Sequence, residues 1–109
     1  MDSKIQNKYY PMTETAFYLL LALSSERHGY GAMQHIEVIT GGRLKIGPGT
    51  VYGTLSKMEK DGLIQVMNEY ERRKTYKQTL LGKELLSLEI ERLEELVRNG
   101  RKEKEQRDE

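Results

Sequence analysis

Gly47-Pro48-Gly49-Thr50-Val51-Tyr52-Gly53-Thr54-Leu55-Ser56-Lys57-Met58-Glu59-Lys60-Asp61-Gly62-Leu63-Ile64 reads as a short helix with its start and its stop both written in the sequence. Pro48 suits the first turn, because its fixed φ is already helical and its missing N–H would have had no partner there. Gly62, without a Cβ, can take the left-handed conformation that closes a helix and releases Leu63 and Ile64 as a strand. Between the two, Val51, Leu55 and Met58 recur at the i, i+4, i+7 spacing of one buried stripe and leave Thr50, Gly53, Thr54 and Lys57 on a different side. That side is small, hydroxylated and basic. It would let the helix backbone approach a polyanion, with hydroxyls and a lysine to bond phosphate oxygens or base edges. Plain solvation of an amphipathic helix accounts for the same face, so the flanking segments have to decide.

Upstream, Thr13 can cap a helix containing Ala16, Phe17, Leu19, Leu20, Leu21, Ala22 and Leu23, too apolar for an exposed face and therefore the central core helix. Ser24-Ser25-Glu26-Arg27 ends it. His28-Gly29-Tyr30-Gly31 opens a second helix through Ile39, with Met33 and Ile36 inward and Tyr30 a candidate to join them. Thr40-Gly41-Gly42 breaks this helix, and Arg43-Leu44-Lys45-Ile46 is a short extended link. Residues 1–12, with Tyr9, Tyr10 and Pro11, show no sustained period and read as an irregular or partly helical arm.

Downstream, Leu63-Ile64-Gln65-Val66-Met67 and Lys74-Thr75-Tyr76-Lys77-Gln78-Thr79 have strand composition, with a charged loop from Asn68 through Arg73. Two strands alone are marginal in water, so the hairpin must lie against the helices and project its tip, where Arg72, Arg73 and Lys74 crowd together. From Leu80 the pattern is helical, and Leu86, Ile90, Leu93 and Val97 alternate by four and three residues as a helix seam does. A helix of about twenty residues is about 30 Å long, more than the small body can cover. The least demanding cover is the same helix of a second copy, since two-fold dimers are the commonest assembly. Folding back over its own body is the other way to cover it. Residues 99–109, beginning Asn99-Gly100, read as frayed helix or disorder.

The chain of 109 residues has room for one domain and one protruding element. With no cysteine there are no disulfides, thiolate sites or cysteine nucleophiles. No stretch approaches a membrane span, and Met1-Asp2-Ser3-Lys4 lacks the order of a signal peptide, so the cytoplasm is the expected compartment. A net charge of +1 says nothing about nucleic acid, but its distribution does. Residues 43–83 carry 9 basic and 4 acidic side chains, residues 1–42 carry 3 and 4, and residues 84–109 carry 6 and 9. Counterion release depends on local charge, and the basic segment contains the organising helix. His28 and His35, with scattered carboxylates, make a poor catalytic or metal set; no enzyme activity, cofactor or metal is expected.

Helix, helix, helix, hairpin is the order of a winged helix-turn-helix: a mainly α fold with a small β-hairpin, to which a long C-terminal helix is added. Residues 1–79 form the DNA-binding domain, residues 80–109 the dimerisation helix. The third helix would present Pro48, Gly49, Thr50, Tyr52, Gly53 and Thr54 to the major groove, with Lys57 further along, and the wing would bring Arg72, Arg73 and Lys74 to the adjacent backbone or minor groove. A winged module that binds another protein instead of DNA is the competing reading.

His28-Gly29-Tyr30, Gly41-Gly42, Pro48-Gly49-Thr50-Val51-Tyr52, Thr54-Leu55, Asp61-Gly62-Leu63-Ile64, Lys74-Thr75-Tyr76 and Thr79-Leu80-Leu81-Gly82 together resemble the signature of PadR-type transcriptional regulators, from about Thr13 to Leu86. The resemblance implies a winged-helix homodimer joined by its C-terminal helix and bound to a palindromic operator in double-stranded DNA, usually as a repressor and often released by a small molecule. The single short C-terminal helix resembles the family's smaller subgroup. Multidrug-sensing members of that subgroup stack planar ligands on a tryptophan; this sequence has none, which leaves the effector open. Gln78 stands where the family usually has an apolar strand residue.

Overall fold

Thr13 starts the core. Its hydroxyl accepts the Ala16 amide at 3.1 Å and so caps the helix Glu14–Ala22. The computed structural model describes residues 1–108, in the order α1 (Ser3–Tyr9), α2 (Glu14–Ala22), β1 (Arg27–His28), α3 (Gly29–Ile39), α4 (Pro48–Lys60), β2 (Ile64–Tyr70), β3 (Arg73–Gln78) and α5 (Leu80–Asp108). Leu19, Leu20 and Leu23 are fully buried with Ile36 of α3, Val51, Leu55 and Met58 of α4, Leu63, and Leu85 of α5. The stripe expected on the organising helix is thus the one that enters the core. The result is a winged helix-turn-helix carrying a long C-terminal helix.

The sheet has one strand more than the expected hairpin. Its order is β1-β3-β2, all antiparallel, with Arg27 opposite Tyr76 and His28 opposite Thr75. Arg27, expected only to end the first core helix, and His28, expected only to open the next, therefore also anchor the base of the wing. Gln78 is at home there: its amide donates to the Leu20 carbonyl at 3.4 Å and its backbone N–H to that of Leu23 at 2.7 Å, so a polar side chain meets the carbonyl-rich end of α2.

The junction between α4 and α5 gives a physical reason for two of the sequence motifs. Gly62 is left-handed, with φ +78°, and the Leu63 and Gly62 amides return to the Met58 and Glu59 carbonyls at 2.9 and 3.1 Å, closing α4 as its sequence predicts. The Thr79 hydroxyl donates to the Gly62 carbonyl at 2.6 Å and accepts the Gly82 amide at 3.1 Å, so one side chain caps α5 and ties it to the end of α4. A Cβ on Gly82 would stand 2.1 Å from the Leu63 carbonyl oxygen, a backbone atom that cannot swing away. Gly82→Ala is therefore expected to destabilise the protein by about 2 to 3 kcal/mol, lowering Tm by about 10 °C or more in a thermal melt.

The arm is partly helical, as one of its two readings had it: Asp2 caps α1 through the Lys4 amide at 2.8 Å, and α1 docks at the end of α4. The Tyr9 hydroxyl donates to Asp61 Oδ2 at 2.6 Å, and Lys8 Nζ lies 2.8 Å from the same oxygen. Burial, then the hydrogen bond and charge of Asp61, push the Tyr9 phenol up. Desolvation of Asp61 is outweighed by its bonds from Lys8 and Tyr9, which hold its carboxyl below the ordinary range. Tyr30 does not turn inward but is 54% exposed, because Gly29 takes the buried position instead. The helix also does not break at Asn99-Gly100 but continues to Asp108. A lone glycine costs a helix only about 1 kcal/mol, and Glu94 to Arg98 has the favourable i, i+4 order. The remaining residue of that segment, Glu109, lies outside the described residues.

Candidate nucleic-acid interface

Along α4, Pro48, Gly49, Thr50, Tyr52, Gly53 and Lys57 are exposed and Thr54 is half-buried, while Val51, Leu55 and Met58 are inaccessible. No acidic residue stands in the first turn, and no side chain caps it. The uncapped amides at this end favour an anion. A Cβ at Gly49 or Gly53 would meet nothing, so both glycines keep the surface low rather than relieve a clash inside the protomer. Lys57 stands apart from the others: its ammonium lies over the Tyr9 ring, 5.2 Å from the centroid, at the end held by the arm.

The wing is longer and its turn tighter than the expected six-residue loop. β2 and β3 pair as far as Tyr70 opposite Arg73, leaving only Glu71 and Arg72 to turn, with φ of 48° and 68°. Positive φ at both central residues is the geometry that matches the twist of a two-residue hairpin. The three cations do not share the tip. Arg72 sits in the turn and Arg73 is exposed beside it, whereas Lys74 is half-buried, faces Glu69 across the ladder, and has its carbonyl bonded to His28 Nδ1 at 3.0 Å. Arg72 occupies a left-handed position that costs a side-chain-bearing residue about 1 kcal/mol. Arg72→Gly is expected to raise Tm by about 5 °C while weakening duplex binding and lowering the log–log salt slope by about one. A melt and a salt titration of the same variant check the two opposite signs.

On α5, the residues of the sequence seam divide. Leu85 and Leu86 are buried in the protomer's own core, and beside them Glu89, 1% exposed, accepts both oxygens' worth of hydrogen bonds from Arg92, with Nε at 3.2 and 3.1 Å. Leu86 is thus not part of a free stripe. Ile90, Leu93 and Val97 remain outward and, together with Phe17 of α2, line an open groove of about 570 Å³; Leu96 is exposed outside that lining. Phe17 joins this surface from a helix read as wholly central; its separation by 73 residues from Ile90 leaves no trace in local periodicity. His28 serves the wing base, and among the described residues no group of three or more His, Cys, Asp or Glu is placed to hold a metal ion. No helix among them is long and apolar enough to cross a membrane.

Three helices around one core, the third with an open, uncapped N-terminal face and followed by a basic wing, define a winged helix-turn-helix regulator. The chain belongs to the PadR-like family of transcriptional regulators, whose family model matches residues 19–88. Its fold is shared with a transcriptional regulator from Clostridium thermocellum, at 23% identity and TM-score 0.69, covering 94% of this chain and 96% of that one. It is likewise shared with a PadR-like transcriptional regulator from Bacillus cereus, at 19% identity and TM-score 0.68, covering 92% and 95%. RosR of H. salinarum aligns at 19% identity and TM-score 0.65, over 84% and 94% of the two chains. A curated relative, an uncharacterized 37.1 kDa protein encoded in a transposon of Streptomyces fradiae, is 39% identical over 62 residues; these are 57% of this chain but 17% of that protein.

Proposed function

We propose that the protein is a homodimeric transcriptional repressor that binds a palindromic operator in double-stranded DNA, in the cytoplasm, and is released by a small-molecule effector. The observation that carries the reading is the surface of α4: Pro48, Gly49, Thr50 and Gly53 lie exposed on the side opposite the buried stripe, with no carboxylate in the first turn. Such a helix can enter a major groove without steric or charge conflict. Arg72 and Arg73 on the wing supply the cations for the flanking backbone. The apolar stripe of α5 with Phe17 supports pairing of two copies, because an uncovered row of large apolar side chains on a helix is costly in water. The same groove offers a small apolar molecule a place to alter that pairing.

The test is retardation of duplex DNA selected from a random pool. Affinity should fall steeply with salt, the enriched sequence should be an inverted repeat with half-sites one helical turn apart, and Arg73→Ala should weaken binding to all sequences alike. Failure to retain any duplex at low salt would reject the reading in favour of a winged module that binds protein.

A further inference from the structure

Between the wing and the start of α3 lies a cleft of about 310 Å³, where Tyr52 of the groove-facing helix and Arg72 and Arg73 of the wing meet Tyr30 of α3. Its walls are phenols and cations: Tyr30 from α3, Tyr52 from α4, and Arg73 and Lys74 from β3, over a floor made by Tyr76. Among the described residues no carboxylate lines it. Tyr30 and Tyr52 are 54% and 48% exposed, so their hydroxyls are open to whatever enters, whereas Tyr76 is only 8% exposed and closes the bottom.

The walls are held from behind. A Cβ on Gly29 would stand 2.6 Å from Tyr52 Cε1, so the absence of a side chain there lets the Tyr52 ring lie against the α3 backbone. His28 bonds the Lys74 carbonyl at 3.0 Å, and the Thr75 hydroxyl donates to Glu26 at 2.6 Å, which fixes the wing base to the entry of α3. Donors converge on this cleft from two helices and a strand, with permanent positive charge beside them. That combination suits an oxyanion with several oxygens, since several donors can each take a different oxygen while the neighbouring cation balances its charge.

We propose that the cleft seats one backbone phosphate of the operator in each protomer, with the Tyr30 and Tyr52 hydroxyls and the Arg73 guanidinium as its donors. This rests on the DNA-binding reading above and adds to it the class of group that the tyrosine cleft takes. A phosphate held there fixes the angle at which the wing and α4 meet the duplex and carries no sequence information itself. Removing its donors lowers affinity for every sequence by the same factor and leaves the preferred operator unchanged.

The experiment pairs Tyr30→Phe, Tyr52→Phe and the double variant with operator duplexes in which each phosphate of a half-site is replaced in turn by a neutral methylphosphonate. Each single variant should bind unmodified operator about five- to tenfold more weakly, with an unaltered melting temperature and an unaltered selected sequence. At one methylphosphonate position per half-site the wild type should lose at least as much, because all three donors lose the charge they face there, and at that position alone the tyrosine variants should bind no more weakly than the wild type. Full wild-type affinity in the double variant, or a tyrosine effect that persists at every methylphosphonate position, overturns the phosphate seat while leaving DNA binding intact. Absence of duplex binding by the wild-type protein overturns both.

Discussion

Leu93→Glu should sediment as a monomer at micromolar concentration where the wild-type protein sediments as a dimer, and its apparent operator affinity should fall by about a hundredfold or more. Leu93 lies half-buried in the groove lined by Phe17, Ile90 and Val97, at a place the protomer itself leaves open. A carboxylate there stays hydrated in the monomer, so the fold should survive; buried between two apolar stripes it would lose that hydration without a partner. In the proposed dimer, operator binding would depend on pairing, because the second half-site would be met at an effective concentration set by the first. Circular dichroism should report an intact helical protein. A wild-type monomer at the same concentration, or a dimeric Leu93→Glu, would remove the basis for this assignment.

The second large effect is expected at Gly53. Since a side chain there meets nothing within the protomer, Gly53→Ala should stabilise α4 by about 0.5 to 1 kcal/mol through helix propensity alone. Gly53→Glu should also fold normally. Its carboxylate, however, would project from the face proposed to enter the groove, and a like charge set against phosphate costs several kcal/mol, which corresponds to more than about a hundredfold loss of affinity. Unimpaired duplex binding by Gly53→Glu would show that this face of α4 does not meet DNA.

What was legible in the sequence was local. Pro48 and Gly62 mark the two ends of α4 because each acts through its own φ, and Thr13 caps α2 through an amide three residues on. What was not legible depends on partners far along the chain. β1 is only Arg27 and His28, too short for any alternation, and is a strand only because Tyr76 and Thr75 pair with it. Tyr9 meets Asp61 across 52 positions, so a stretch with no periodicity of its own becomes a docked helix. The wing turn was hidden for another reason: Glu71 and Arg72 are not residues that advertise a positive φ, and the cross-strand ladder imposes it on them. Of the candidate interface, the face of α4 followed from spacing, whereas the assembly of Tyr30, Tyr52 and Tyr76 around one cleft needed the packing of three separate elements.

Thr79 bonds the Gly62 carbonyl and the Gly82 amide at once, and Gly82 rests on Leu63 with no room to slide. The C-terminal helix and α4 therefore share a stiff elbow rather than a hinge. In the proposed pair of protomers clasped along α5, any molecule that altered the crossing of these rods would swing both copies of α4 through that elbow, changing their separation without unfolding or bending either one.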